Sequence, residues 1–223
     1  MNFAEYNVKD ANLEEVLLAL KSLDTVEAVA LGGSRSTGAS DENSDYDIYV
    51  YCAEIPTAET RENLLGKYCS IAEFGNHYWE SEDNTVMNNG VPVDIIYREV
   101  DRFGRYIDTV IKGGKAFNGY TTAFWHNIKN SKVLFDKTGT FTKFRDMAQI
   151  DFPENLRSAI IKNNRNLLNG KLPSYDRQIK KAQERGDIVS VNHRITAFLE
   201  SYFDVIFALN RQTHPGEKRH AHG

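Results

Sequence analysis

Between Asn12 and Leu23, apolar residues recur at Leu13, Val16, Leu17 and Leu20, the i, i+3, i+4, i+7 spacing of one helix face. Asn12 and Glu15 have the form of a capping box at its start. Val26–Leu31 (VEAVAL) is short, partly β-branched and stopped by Gly32-Gly33, the pattern of a buried strand. Asp45–Tyr51 (DYDIYVY) alternates and predicts a second strand. A helix is expected over 57–68, with Thr60, Arg61 and Glu62 on its wet side. Asn89-Gly90 between apolar runs predicts a hairpin with a type I′ turn. The returning strand is Val91–Tyr97, with Pro92 near its start, where a missing N–H is tolerated. Helical patterns follow at 100–112, 119–130 and 140–149, and then at 153–169, 174–186 and 188–211. Strands early and helices late predict an α+β domain over residues 1–150 and an all-helical one over 151–223.

Composition narrows this picture. The chain has 223 residues, 41% of them apolar and 26% charged, enough to bury a core and unlike a disordered segment. No apolar run approaches the ~18 residues of a membrane span, and MNFAEYNVKD lacks the basic-then-apolar pattern of a secretory signal. Cys52 and Cys69 are too few for a disulfide framework or a cysteine zinc site, so a reducing, cytoplasmic setting is the simplest reading. The net charge of −4 hides an asymmetry: residues 1–152 hold 15 Lys/Arg against 24 Asp/Glu, and residues 153–223 hold 12 against 7. An acidic module beside a basic one suits a metal-and-phosphate site, or is ordinary surface variation. Bulk nucleic-acid binding is disfavoured by the acidic isoelectric point.

The candidate chemistry lies in Gly32-Gly33-Ser34-Arg35-Ser36-Thr37-Gly38, followed by Asp45-Tyr46-Asp47. Two glycines and a serine after a strand allow a sharp turn whose N–H groups and hydroxyl can meet phosphate oxygens. Asp45 and Asp47 share a strand face, roughly 7 Å apart at Cα, where like charges call for a cation such as Mg2+. Asp94 interrupts the apolar run Val91–Tyr97; a carboxylate there is costly to bury unless paired or on a metal. If its strand neighbours the Asp45–Asp47 strand, three carboxylates converge beside the Gly-Ser turn, as a two-metal phosphoryl-transfer site needs. An ion pair from Asp94 to Arg98 or Arg102 is the structural alternative.

Gly33-Ser34, ten residues, Asp45-x-Asp47 and a later strand aspartate, Asp94, resemble the nucleotidyltransferase superfamily with the DNA polymerase β palm. Its small bacterial members include aminoglycoside and lincosamide nucleotidyltransferases. FDVIFALNRQTHPGEKR further resembles an uncharacterised bacterial branch with a helical domain after the catalytic one. The resemblance implies a mixed sheet flanked by helices, Mg2+ on Asp45, Asp47 and Asp94, and the β,γ-phosphates of a nucleoside triphosphate on Gly33 and Ser34. It also implies Asp94 as general base, and a chain longer than the four residues that here follow Arg219. The expected reaction moves AMP from ATP to a hydroxyl of a small molecule such as an antibiotic, releasing pyrophosphate. The alternative is a nucleotide-binding or antitoxin-like partner-binding module with the same fold and little turnover. A homodimer in which one subunit's helices complete the neighbour's cleft fits small members of the superfamily.

A second base candidate is Glu200. It belongs to a polar stripe of His193, Thr196, Glu200 and Asp204 on the last helix, while Val191, Ile195, Phe198, Leu199, Tyr202 and Ile206 are expected to pack inward. That stripe faces either a cleft or solvent. Triphosphate cations are expected from Arg35 or from Lys181, which shares a helix face with Arg177 and Arg185; Lys218 and Arg219 are weaker options. Trp79 and Trp125 read as core, with Tyr46 or Trp79 as base-stacking alternatives.

Overall fold

The computed structural model of the chain describes residues 9–38, 44–170 and 172–216. In chain order the elements are α1 (Ala11–Ser22), β1 (Val26–Leu31), α2 (Gly33–Thr37), β2 (Tyr46–Cys52) and α3 (Ala58–Leu65). Then come β3 (Cys69–Asn76), β4 (Ser81–Met87), β5 (Pro92–Glu99), α4 (Val100–Ile111) and α5 (Ala123–Asn130). The chain continues with β6 (Lys132–Asp136), α6 (Thr140–Ala148), α7 (Glu154–Arg165), α8 (Tyr175–Glu184) and α9 (Ile188–Leu209). The class is α+β. By packing, the chain divides into one unit of residues 1–105 with 128–147 and another of 106–127 with 148–223, so the stretch 106–127 groups with the carboxy-terminal helices across the boundary expected at 150. No described helix is long and apolar enough to cross a membrane.

The first unit is a six-stranded sheet in the order β3-β4-β5-β2-β1-β6, in which β2 and β5 are parallel and the other pairs antiparallel. One face is packed: Leu13, Val16, Leu17 and Leu20 of α1 lie in one core cluster with Val29, Leu31, Ile48, Val50, Val93 and Ile95. Each such side chain contributes roughly 1.5–3 kcal/mol by leaving water. On the opposite face, Tyr51 packs edge-on to Phe103 and Phe141 with ring centroids 5.4 and 5.3 Å away.

Several local expectations are corrected. The cap of α1 is Asp10, whose carboxylate accepts from the N–H groups of Asn12 and Leu13, and not an Asn12–Glu15 box. The hairpin at Asn89-Gly90 forms, but only Gly90 takes positive φ (85°), and Gly90 N–H donates to Met87 O while Met87 N–H donates to Val91 O. This is a three-residue loop with glycine at its left-handed position, the next commonest hairpin after the two-residue turns. Arg61, expected on a wet face, is buried; it pairs with Asp83 at 2.9 Å and lies 4.4 Å over the Tyr97 ring. The strands β3 and β6 were not foreseen. β3 is an edge strand with little burial, so it lacks the apolar alternation that marks a strand. Trp125 is core, whereas Trp79 is 88% exposed.

In the second unit, α9 departs in part from the expected amphipathicity: Val191, Phe198 and Ile206 are half-buried and His193 and Thr196 exposed, but other positions differ. Ile195, Leu199 and Tyr202 are exposed, while Ser201 and Asp204 are buried. The reason is a polar knot. Asp204 accepts from Thr121 N–H at 3.1 Å, Thr121 Oγ1 at 2.7 Å and Asn164 Nδ2 at 3.0 Å. Asn164 Oδ1 in turn accepts from Gly119 N–H at 3.2 Å. A buried loop whose N–H groups need acceptors obtains them from side chains of α7 and α9. Burial pushes the Asp204 carboxyl up to about 6 against the opposing pull of its hydrogen bonds to Thr121 and Asn164.

Because that folded value lies above the unfolded one, the native state binds more protons between about pH 4 and pH 6, and stability falls as pH rises through this window. The shift corresponds to roughly 3 kcal/mol. Thermal unfolding of wild type and Asp204→Asn across pH 3.5–8 is expected to differ by a step confined to that window, with the wild type relatively most stable at its acid end. A difference that does not change with pH would refute the assignment.

Candidate metal centre

Asp47 and Asp94 are register partners in the parallel β2–β5 ladder, so the pleat sends both side chains to one face of the sheet. Asp45, just ahead of β2, joins them. One oxygen from each of the three lies within 4.8 Å of the others, and all three residues are half-buried. Two ligands on one magnesium can be no more than ~4.2 Å apart, twice its 2.0–2.1 Å bond. The three carboxylates therefore need only a small inward movement to share an ion. The donor set is all oxygen, with no thiolate or imidazole, and fits a hard divalent cation. Asp94 is not enclosed by its apolar strand: Val93 and Ile95 point to the packed face, and Asp94 points to the other.

The glycines set how closely the turn approaches these acids. Gly33 has φ of +60°, and a Cβ there would overlap the Asp47 carboxylate; a Cβ on Gly32 would overlap the Tyr49 ring. Gly32 N–H donates to Asp47 O at 2.8 Å, tying the turn to β2. Neither position tolerates a side chain, which is why the glycine pair follows β1. The Ser34 hydroxyl donates to no group among the described residues.

Two supporting groups, Asn84 and Tyr49, were not singled out from sequence. Asn84, the register partner of Asp94 on β4, donates its Nδ2 to Asp94 Oδ1 at 2.9 Å, and its Oδ1 accepts from Asn76 Nδ2 at 2.7 Å. No pattern marks Asn84, since both faces of Ser81–Thr85 carry polar residues. Arg98, offered as a partner for Asp94, is instead buried and held by Glu80 through two 2.8 Å bonds. It also donates to Tyr51 Oη at 3.2 Å and stacks 4.2 Å over the Tyr49 ring. Burial pushes the Tyr49 hydroxyl up to about 12, with Arg98 drawing it down and Asp47 raising it further. Tyr49 is thus a neutral floor beside the acids. The acidity of this face reaches Glu82, whose carboxyl is raised by burial, by Asp94 and by Glu80 and Asp83.

The other expected site residues lie elsewhere. Arg35 turns its guanidinium onto the backbone leading into β2, with Nε donating to Ser44 O at 3.0 Å and to Asp45 O at 3.1 Å, and sits 4.1 Å over Tyr46. It braces Asp45 rather than opening toward a phosphate, and Tyr46 is buried beneath it. Glu200, His193 and Lys181 belong to the helical unit. Glu200 is half-buried with its backbone against Gly119, where a Cβ would come within 2.9 Å of the Glu200 Cβ; His193 is exposed. Lys181 lines a basin with Arg185, but Arg177 does not. Lys218, Arg219 and the terminal histidines lie outside the described residues.

Residues 13–116 match the nucleotidyltransferase domain family, and residues 122–219 match a domain of unknown function, DUF4037. No curated protein matches the chain. Among solved structures, a nucleotidyltransferase-like protein from Exiguobacterium sibiricum 255-15 aligns at 10% identity over 89% of this chain and 56% of its own, with a TM-score of 0.42. The spectinomycin adenyltransferase AAD(9) from Enterococcus faecialis, solved with ATP and spectinomycin, aligns at 14% identity over 90% and 97%, with a TM-score of 0.39. A toxin–antitoxin structure with AMP-PNP aligns at 16% identity over 79% and 96%, with a TM-score of 0.35. The chain spans little more than half the length of the Exiguobacterium protein. These are distant likenesses, and no substrate of this chain follows from them.

Removing one of three crowded charges relieves repulsion. Asp45→Asn is therefore expected to melt at or above the wild-type temperature without metal, and to lose the rise in Tm that millimolar Mg2+ or Mn2+ produces in the wild type. A large loss of stability without metal would mark Asp45 as structural. Gly33→Ala forces a side chain into the left-handed region and onto Asp47, and is expected to lose about 1–3 kcal/mol in chemical denaturation.

Proposed function

We propose that this chain, a member of the nucleotidyltransferase superfamily through its amino-terminal domain, moves AMP from ATP to a hydroxyl of a small molecule such as an antibiotic, releasing pyrophosphate. The observation that carries this reading is the convergence of Asp45, Asp47 and Asp94 beside the Gly33 turn. Asp45, Asp47 and Asp94 are the residues that would hold magnesium, which supplies Lewis-acid stabilisation of the charge on the phosphoryl oxygens.

The chain's own groups do the rest. The Gly33 and Ser34 N–H groups and the Ser34 hydroxyl orient the β- and γ-phosphates in the turn, where only glycine lets the backbone come this close to β2. Asn84 holds one oxygen of Asp94 through its 2.9 Å bond, fixing the carboxylate plane. The other oxygen takes the proton of the acceptor hydroxyl, whose oxygen bonds to the α-phosphorus as the bond to the β-phosphate oxygen breaks. Asp94 is assigned as base over Glu200 because it lies in the same carboxylate cluster as the metal ligands. In a reducing, cytoplasmic setting the free Cys52 and Cys69 remain thiols.

Pyrophosphate release is to be followed with each of the four nucleoside triphosphates, Mg2+ and a panel of hydroxyl acceptors that includes aminoglycosides and lincosamides. Release that requires an acceptor and is highest with ATP is the expected result. Asp94→Asn is expected to lower kcat at least about 100-fold, the lower range for losing a positioned base, while Glu200→Gln retains activity. The opposite pattern moves the base to Glu200. Tight ATP binding with no turnover on any acceptor would replace the enzyme reading with that of a nucleotide-binding, antitoxin-like module.

A further inference from the structure

Helix α9 runs 22 residues, Ile188–Leu209, and its buried side holds Ser201, Asp204 and Ala208. Its other side carries Ile188, Asn192, Ile195, Leu199, Tyr202, Ile206 and Leu209, at alternating steps of four and three residues. That is the a/d spacing of a coiled-coil seam, sustained over three heptads. On a helix it forms one stripe about 32 Å long, at 1.5 Å per residue. These side chains are exposed except for half-buried Ile206: Ile188 is 71% accessible, Leu209 48%, Leu199 44%, Tyr202 41% and Ile195 40%.

Two features separate this stripe from an ordinary wet helix face. No charged residue lies on it or at its exposed flanks, Val189 and Thr196, although 26% of the chain is charged. On α8, by contrast, the exposed positions are Asp176, Arg177, Lys180, Lys181 and Glu184, with Gln183. The stripe is also large. At ~200 Å² for a large side chain, its five exposed apolar residues and Val189 together leave roughly 600 Å² open, the upper end of what a monomer shows in one patch. A standard interface takes about 800 Å² from each partner, and Asn192, Thr196 and Ile206 extend the same face toward that area.

We infer that the chain pairs with a second copy of itself, α9 against α9 about a two-fold axis. A two-fold interface sets one patch against its own copy, so a charge near its centre would meet its like; the stripe has none. An a/d seam packs knobs into holes against another helix of the same period, and α9 is itself such a helix. The one polar seam residue, Asn192, makes no side-chain hydrogen bond among the described residues. Its amide both donates and accepts, so its own copy or water satisfies it. The far side of α9 is anchored through Asp204 to Thr121 and Asn164, so the seam stands on a helix already held in place.

The test is the mass of the full chain by sedimentation equilibrium, without ATP, metal or acceptor, so its outcome is independent of the transfer reading. A mass of twice 25.4 kDa at micromolar concentration is expected. Ile195→Lys/Leu199→Lys sets charges at the middle of the seam against their copies. It is expected to raise the dissociation constant at least about tenfold, the effect of losing a central interface anchor. Both side chains are exposed, and an unchanged far-UV circular dichroism spectrum confirms that the variant is folded. A second variant leaves the rest of the seam intact: Leu199→Cys, combined with Cys69→Ser, is expected to give a disulfide-linked dimer on mild oxidation. Leu199 lies at mid-seam and meets its own copy whichever way the two helices run. Gln183→Cys on α8, in the same background, is expected to remain monomeric on a non-reducing gel. A wild type that stays monomeric gives the stripe to a different partner and overturns the inference. So does a dimer that persists in the lysine variant, or Leu199→Cys crosslinking no faster than Gln183→Cys.

Discussion

The parallel β2–β5 ladder, in the register that sets Asp47 beside Asp94, is the constraint on which the candidate site depends. Backbone hydrogen bonds hold the two strands about 4.8 Å apart whatever their side chains carry. Two like charges are thereby held together at the cost of their mutual repulsion. That cost is tolerable because the acids stand half-exposed on the less covered part of the sheet face, and because the packed face opposite supplies burial from Val93, Ile95, Ile48 and Val50. The ladder makes the site rigid, and the crowded charge gives it affinity for a cation.

What surrounds the three acids is arranged to hold them in place and to avoid neutralising them. The buried cation Arg98 is claimed by Glu80 and by the rings of Tyr49 and Tyr51. Arg35 is spent on the carbonyls of Ser44 and Asp45. Asp94 receives a neutral donor, Asn84, which fixes orientation without removing charge. A lysine or arginine at that position would satisfy the carboxylate and weaken its claim on a metal. In the helical unit, Asp187 is consumed in a cap and Asp204 in the polar knot, while Lys162, Arg165 and Lys181 face solvent.

Much of the fold was legible because its signals are local. The α1 stripe, the strand ending at Gly32-Gly33, the alternation of DYDIYVY and the Asn89-Gly90 turn each rest on a period or a backbone requirement contained within a few residues. What failed is equally instructive. β3 is an edge strand with little burial and so lacks the apolar pattern, whereas β6, at the other edge, buries Val133, Leu134 and Phe135, an apolar run too short to tell strand from helix by period. Arg61 looked like a wet-side residue until Asp83, 22 positions later, was found buried against it. The polar stripe on α9 was open to either a cleft or solvent, yet Asp204 is buried because Thr121 and Asn164 bring it three donors from distant parts of the chain.

The sequence by itself determined the inventory and its order: a glycine turn, a paired aspartate strand, a lone strand aspartate, an acidic half and a basic half. Those are consequences of residue type and short spacing, and need no folded partner to be read. Only the tertiary structure decided that the lone aspartate falls in register with the pair, that Asn84 and not Arg98 attends it, and that Asp204 of α9 is buried while Ile195, Leu199 and Tyr202 are exposed. Register, partner choice and burial are set by contacts between segments tens of residues apart, where the free energy of a match depends on every other strand and helix already in place.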